Sequence, residues 1–296
     1  MNDQGNSSGS PIPPNGWGNQ GATPQQSDTA TKKAPSLLKT FLVAFGGAEA
    51  VTQKCLPSVV NIDVYTKQSS QSMMGMMGQT SDELEESSLG SGIILSSDGY
   101  ILTNYHVIEG ADQLKVNAGG EEYTAQVVGT DESSDLAVLK IDATGLTAIE
   151  VGSSSDLTVG EWVMAVGSPF GLEQSVSTGI VSATSRTTSA LNDSSSGSSA
   201  VYTNMIQTDA AINPGNSGGA LVDKDGKLIG VNTLIASASG SSSGVGFAIP
   251  VDYAMNIAQQ IIDGKNPSHA QLGITATTVN SQLAKRYSLP VESGAY

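Results

Sequence analysis

The chain has 296 residues and a formal net charge of −15, which argues against a general nucleic-acid binder, since that class carries a basic stripe for phosphates. Hydrophobic residues make up 38% and charged residues only 14%, so most of the chain can fold around a core. The single cysteine, Cys55, excludes an internal disulfide framework and a cysteine-based zinc cluster, and two histidines, His106 and His269, leave little for a histidine-rich metal site.

The length allows two compact units of roughly 100–200 residues. Residues 1–35 are Gly, Ser, Pro, Asn and Gln with almost no aliphatics, which predicts a disordered tail. The start lacks a basic region followed by an apolar run, so no secretory signal is expected there. Lys32 and Lys33 precede a short apolar stub, Leu37 to Phe45, interrupted by Lys39 and closed by Glu49. A bilayer needs roughly 20 helical residues, so this stub is too short to span one. It reads either as a short amphipathic segment or as part of a membrane anchor with its basic residues on the cytoplasmic side.

From Pro57 onward, short β-rich runs follow one another: Val59–Tyr65, Ser91–Leu95, Tyr100–Asn104, Leu114–Val116, Tyr123–Val128, Leu136–Ile141 and Trp162–Val166. Then come Val176–Ala183, Val201–Gln207, Leu228–Ile235 and Gly246–Ile249. Turns such as Ser97-Asp98-Gly99 and Asp225-Gly226 separate them. The 34 glycines fit that texture, and strands without alternating helices predict an all-β barrel or sandwich. Two insertions, 67–89 with its methionines and 187–200 with its small polar residues, are expected as flexible loops. The clear helix is Val251–Asp263, with Ala254, Ile257, Ala258, Ile261 and Ile262 on one face and Gly264 at the C-cap. Pro267 opens a last segment containing Leu272-Gly273-Ile274 and a helical stretch near Gln282–Tyr287. It is too short for a domain of its own and is expected to be the start of one.

Three motifs carry chemistry. Ser217 lies in Gly215-Asn216-Ser217-Gly218-Gly219, where flanking glycines let the backbone turn sharply and its amides converge on an oxyanion. Taken alone, this is a common Gly-Ser turn, and it also fits the G-x-S-x-G of α/β-hydrolases. His106 follows a hydrophobic strand in Thr103-Asn104-Tyr105-His106-Val107. It is the practical base, because His269 lies past the apparent domain end. Asp135 opens a buried strand in Ser134-Asp135-Leu136-Ala137-Val138-Leu139 and is either a turn residue or the carboxylate that orients the base. The order His106, Asp135, Ser217 decides between classes. An α/β-hydrolase runs Ser, Asp, His on βαβ units, whereas chymotrypsin-type enzymes run His, Asp, Ser on strands.

These runs resemble the HtrA (Deg) family of trypsin-like serine proteases. So do Asp209-Ala210-Ala211-Ile212-Asn213-Pro214 leading into the Ser217 turn, Gly167-Ser168-Pro169-Phe170-Gly171 and Gly246-Phe247-Ala248-Ile249-Pro250. The resemblance covers about residues 54–264, and the tail resembles the opening of that family's PDZ domain. It implies a chymotrypsin-like double β-barrel with a C-terminal helix. The division is a disordered segment with the apolar stub (1–53), the protease domain (54–265) and a linker with a truncated PDZ start (266–296). It implies ATP-independent cleavage of unfolded proteins and peptides outside the cytoplasm by a homotrimer, with no metal or organic cofactor; the basic residues and the apolar stub add the expectation of an N-terminal membrane anchor.

Carried over residue by residue, the resemblance makes Ser217 the nucleophile, His106 the general base and Asp135 its orienting carboxylate. Gly215, Asn216 and Ser217 form the oxyanion hole. Ile212, Leu234 and Ile235 line a small apolar specificity pocket, and Arg186 relays regulatory signals. A non-catalytic chaperone on the same fold and an esterase with the same triad are the rival functions.

Overall fold

A computed structural model describes residues 47–67, 84–168, 175–189, 201–235, 244–269, 278–291 and 293–295. The tail at 1–35, the apolar stub, most of both long insertions, Pro169 to Gly171 and Leu272-Gly273-Ile274 lie outside the described residues. Among the described residues no helix is long and apolar enough to cross a membrane.

Twelve strands build two closed six-stranded barrels. The first contains β1 (Val59–Lys67), β2 (Leu84–Ile94), β3 (Tyr100–Thr103), β4 (Gln113–Ala118), β5 (Glu121–Asp131) and β6 (Leu136–Lys140). The second contains β7 (Trp162–Gly167), β8 (Ser175–Ser189), β9 (Val201–Thr208), β10 (Ala220–Asp223), β11 (Leu228–Ile235) and β12 (Gly246–Pro250). The strands of the first run in the order β1-β2-β3-β6-β5-β4, and those of the second repeat it as β7-β8-β9-β12-β11-β10. The expected all-β double barrel is what the chain forms.

Side-chain alternation explains why so many strands read as unbroken apolar runs. In β3, Ile101 fills the first barrel while Leu102 faces the seam between barrels, and neither is exposed. In β6, Ala137 and Leu139 point into the barrel while Leu136 and Val138 point to the seam. Met164, Val166, Ala220 and Phe247 of the second barrel meet them there. Helix α3 (Val251–Ile262) closes the seam with Ala254, Ile257, Ala258 and Ile261, the face its spacing predicts. Gly129 of β5 makes room for this helix, since a Cβ there would lie 2.8 Å from Ile261 Cγ2.

Several boundaries differ from the sequence reading. Strand β10, only four residues long, was hidden behind the glycines of the Ser217 turn. β2 starts at Leu84 and β8 runs on to Ser189, so parts of both presumed loops are strand. These arms form exposed ribbons, with Lys67 paired to Leu84 and Ser189 to Val201, and their polar residues carry no apolar alternation. A helix, α1, covers 47–55, so the expected limit of the disordered segment at residue 53 falls inside it. It is amphipathic: Val51 and Cys55, one turn apart, are buried in the seam cluster, while Lys54 pairs with Glu150 at 2.7 Å. A short helix, α2 (Tyr105–Ile108), carries His106, and β13 (Thr278–Val279), α4 (Ser281–Tyr287) and β14 (Gly294–Ala295) occupy the final segment.

The Cys55 thiol donates to the Gly226 carbonyl at 3.4 Å, and burial pushes its pKa up to about 11. A native thiol that keeps its proton two units longer than an exposed one is chemically inert. It also makes stability fall as pH rises from about 9 to about 11, because the unfolded chain there has lost a proton that the native chain keeps. At pH 8 a disulfide reagent is therefore expected to titrate Cys55 only after denaturant is added; fast labelling of the native protein would contradict this packing.

Candidate active site

Asp135 is placed by a tight local device. Its predecessor turn is a 3-10 helix, Glu132–Ser134, N-capped by Asp131, whose carboxylate accepts from the Ser134 amide. Asp135 ends that turn in the left-handed region at φ 57°, a conformation that Asp tolerates better than most residues. Its carbonyl is held by Asn104 Nδ2 at 2.9 Å and by the Tyr105 amide at 3.2 Å. Asn104 thus spends its side chain on Asp135 instead of capping α2, which starts at the next residue.

The Asp135 carboxylate is 2% exposed and accepts three kinds of bond. The His106 amide donates to Oδ1 at 3.0 Å. His106 Nδ1 lies 2.7 Å from Oδ2 and 2.9 Å from Oδ1. Thr233 Oγ1 donates to Oδ2 at 2.6 Å. An ionised carboxylate only accepts, so Nδ1 carries the proton and the lone pair of neutral His106 sits on Nε2. The ring is 39% exposed. Burial, and then the charge of Asp135, push the half-buried Tyr202 phenol up to about 12.

Ser217 stands on the turn before β10. Its hydroxyl donates to the Thr233 carbonyl at 3.2 Å, and among the described residues no hydrogen bond joins it to His106. Thr233 therefore links the three expected residues, its side chain on Asp135 and its carbonyl on Ser217.

The turn packs directly on the first barrel. The Ser91 amide donates to the Ser217 carbonyl at 2.9 Å. Gly218 has φ +80°, and a Cβ there would collide with the Ser91 carbonyl oxygen and Thr103 Oγ1. Gly215 has φ +97°. Among the described residues the amides of Gly215 and Ser217 donate to no protein acceptor, whereas the Asn216 amide is bound by the Asn213 carbonyl at 3.0 Å. Of the three residues expected at the oxyanion hole, two thus present free amides, and Asn216 is the spacer between them.

Ile212 is 1% exposed and belongs to the core of the second barrel. Its side chain abuts Gly246, where a Cβ would lie 2.8 Å from Ile212 Cδ1, and Gly246 pairs in register with Ile235. The backbone of Leu234 and Ile235 is described but their side chains are not. The acid nearest this region in sequence, Asp209, has its carboxylate turned to the Ile180 amide at 2.7 Å. Arg186 is exposed on β8, and its Nε donates to Gln207 Oε1 at 3.1 Å. The other histidine, His269, pairs through Nε2 with Asp131 at 2.9 Å, and its Nδ1 faces the Tyr253 hydroxyl at 3.3 Å.

Sequence reasoning missed Thr233, Asn104 and Ser91. The signals were present: a polar Asn232-Thr233 pair inside the buried strand Leu228–Ile235, and a serine between two glycines in β2, a pattern that marks close backbone approach.

The sequence matches the trypsin-like peptidase domain family over residues 90–231. A probable periplasmic serine endoprotease, DegP-like, of Halomonas elongata is 48% identical over 212 residues, covering 71% of this chain and 43% of that protein. A protein of the same description from Marinomonas sp. is 42% identical over 272 residues, covering 83% of this chain and 56% of that protein. Among solved structures, the HtrA-type protease AlgW with decapeptide is 41% identical with a TM-score of 0.67, covering 83% of this chain and 76% of that one. The chain spans about half the length of the curated relatives it matches.

Gly218 gives the most direct test of this packing. A positive φ costs a residue with a Cβ about 1–2 kcal/mol, and the collision with Ser91 adds to it. Gly218→Ala is expected to lower the urea midpoint and to slow labelling of Ser217 by an organophosphorus reagent; a variant equal to the parent in both would contradict the close approach.

Proposed function

The chain belongs to the HtrA/Deg family of trypsin-like serine proteases, and we propose that it is an ATP-independent endopeptidase that cleaves unfolded proteins through a Ser217–His106–Asp135 triad. The observation that carries this reading is the buried Asp135 carboxylate holding His106 by Nδ1, with Thr233 tying both to the Ser217 turn. In the reaction, His106 Nε2 takes the Ser217 proton as Oγ attacks the scissile carbonyl carbon. The oxygen of the tetrahedral intermediate accepts from the Gly215 and Ser217 amides. His106 then passes the proton to the leaving amine, and water attacks the acyl-enzyme by the same route. Breaking a peptide bond in water runs downhill, and a substrate that is already unfolded needs no nucleotide-driven unfolding before cleavage.

Ile212, with the 234–235 segment opposite Gly246, forms a small apolar specificity pocket, and the Asp209 carboxylate is not available to pair with a basic side chain. Cleavage after Val, Ala or Ile follows. The protease domain covers 54–265 with α1 packed against it, and 266–296 opens a PDZ-like segment. The relatives named above are described as periplasmic, which supports work outside the cytoplasm. A homotrimer tethered by an N-terminal membrane span, to which the apolar stub contributes a part, completes the reading, with residues 1–33 cytoplasmic.

The test is a fluorophosphonate probe followed by mapping of the labelled residue, with casein and short-chain esters as rival substrates. Labelling at Ser217, casein fragments ending in Val, Ala or Ile, and no cleavage by Ser217→Ala are the expected results. Esters cleaved with casein intact would favour an esterase, an unlabelled chain that still binds unfolded protein would favour a chaperone, and cleavage after Arg or Lys would refute the pocket.

Arg186 is the regulatory residue of this reading. It stands where β8 leaves the barrel as an exposed ribbon, and its bond to Gln207 is solvent-accessible and so of little worth to stability. Arg186→Ala is expected to lower turnover while the melting temperature holds; unchanged turnover would make it an ordinary surface arginine.

A further inference from the structure

The Ser217 turn belongs to the second barrel, yet the side chain that grips its carbonyl comes from the first. Ser91 lies in β2 and is 0% exposed. The Ser168 amide reaches Ser91 Oγ at 2.8 Å, and Ser91 Oγ lies 2.6 Å from the Gly215 carbonyl oxygen. The amide can only donate and the carbonyl can only accept, so the direction is fixed: Ser168 N–H to Ser91 Oγ, and Ser91 O–H to Gly215 O. The backbone of Ser91 makes two more links. Its amide donates to the Ser217 carbonyl at 2.9 Å, and its carbonyl accepts from Thr103 Oγ1 at 2.7 Å.

The peptide groups of the turn are held in a pattern. The peptide joining 215 and 216 is gripped at both ends, by Ser91 Oγ at its oxygen and by the Asn213 carbonyl at its N–H. The peptide joining 216 and 217 is gripped at its oxygen by the Gly219 amide at 2.9 Å. The peptide joining 217 and 218 is gripped at both ends again, by the Ser91 amide and by the Asn232 carbonyl at 2.9 Å. Among the described residues this leaves the N–H groups of Gly215 and Ser217 without a protein acceptor. Gly215, at φ +97°, has no side chain to resist a turn of its flanking peptides. Among the described residues, the Ser91 hydroxyl is what holds its carbonyl.

We propose that Ser91 is a positioning residue for the oxyanion hole: its hydroxyl holds the Gly215 carbonyl, fixes the peptide on one side of Gly215, and so restrains the Cα from which the other peptide, 214–215, carries the Gly215 N–H toward the developing oxyanion. Ser91 touches no substrate and acts through Gly215. The inference rests on the serine-protease reading above and adds to it a residue from the opposite barrel.

The test uses the full chain with Ser91→Ala, which removes the donor and little volume, assayed well below its melting transition. Losing an oxyanion donor outright lowers kcat about 10²–10³-fold, so a loosened donor is expected to lower it about 10-fold or more. KM for a fluorogenic peptide should stay within about twofold, because the ground-state carbonyl gains little from the hole. Affinity for a peptide trifluoromethyl ketone, whose adduct with Ser217 sets an oxyanion in the hole, should fall by the same factor as kcat. Ser91→Cys, nearly the same shape with a poorer donor, should show a smaller loss in both, and it carries the test if the alanine variant does not fold. Wild-type labelling by fluorophosphonate is read first. An unlabelled wild-type chain overturns the protease reading and this inference with it. A labelled wild type whose Ser91 variants melt lower but keep kcat and ketone affinity, or change only in KM, overturns the inference alone.

Discussion

A carboxylate sealed from water must be surrounded by donors, because an unpaired buried charge is among the most costly features a fold can carry. Asp135 meets that demand with groups from both barrels. The His106 amide and ring reach it from the short helix after β3, and the Thr233 hydroxyl reaches it from β11. Neither barrel alone satisfies the carboxylate. The apolar seam, with Leu102, Leu136 and Val138 on one side and Met164, Val166 and Phe247 on the other, therefore does more than exclude water. It brings two independently closed sheets into a register in which a 2.6 Å bond can span them.

The Ser217 turn depends on the same seam. Gly218 lets the turn come so close to β2 and β3 that no side chain fits between them. The contact with Ser91 of β2 is backbone to backbone, and so it can orient peptide groups as well as locate them. Thr233 then has two tasks on one residue, holding Asp135 with its hydroxyl and the resting Ser217 hydroxyl with its carbonyl. In the proposed reaction the second bond is given up as the serine turns to His106, while the first persists. The resting geometry thus ties the Ser217 hydroxyl and the carboxylate that holds His106 to one residue without joining Ser217 to His106 directly.

The order His106, Asp135, Ser217 and the rhythm of short strands were legible because each depends on local sequence: a histidine after an apolar strand, an aspartate before one, a serine among glycines. The strand β10 was not, because Ala220–Asp223 gains its conformation from β7 and β11 on either side and has no room to show a period. The long ribbon arms of β2 and β8 were read as loops for a related reason: exposed strands paired only with each other need not alternate. Helix α1 was assigned to the tail because a pattern of two buried residues, Val51 and Cys55, is too sparse to be seen next to an apolar stub. At the site, the ionisable and nucleophilic residues could be named, but the groups that position them could not. Ser91 and Thr233 look like ordinary polar interruptions until the two barrels meet.

The second histidine shows why pairing alone does not make a catalytic base. His269 meets Asp131 at 2.9 Å, a distance comparable to that between His106 and Asp135, and Asp131 is itself nearly buried. The difference lies at the opposite ring nitrogen. On His106 that nitrogen is Nε2, which has no hydrogen-bond partner among the described residues, as the Gly215 and Ser217 amides have none. On His269 it is Nδ1, facing the Tyr253 hydroxyl on α3. A base needs a proton to take from a group that becomes a nucleophile, and a site for the charge that follows. Among the described residues His269 meets a carboxylate and a phenol, and these contacts fasten the segment after α3 to the loop before Asp135. In the proposed reaction it is the convergence of an oriented imidazole, a small hydroxyl and amides without protein acceptors among the described residues that turns the same pairing into a means of attacking a carbonyl.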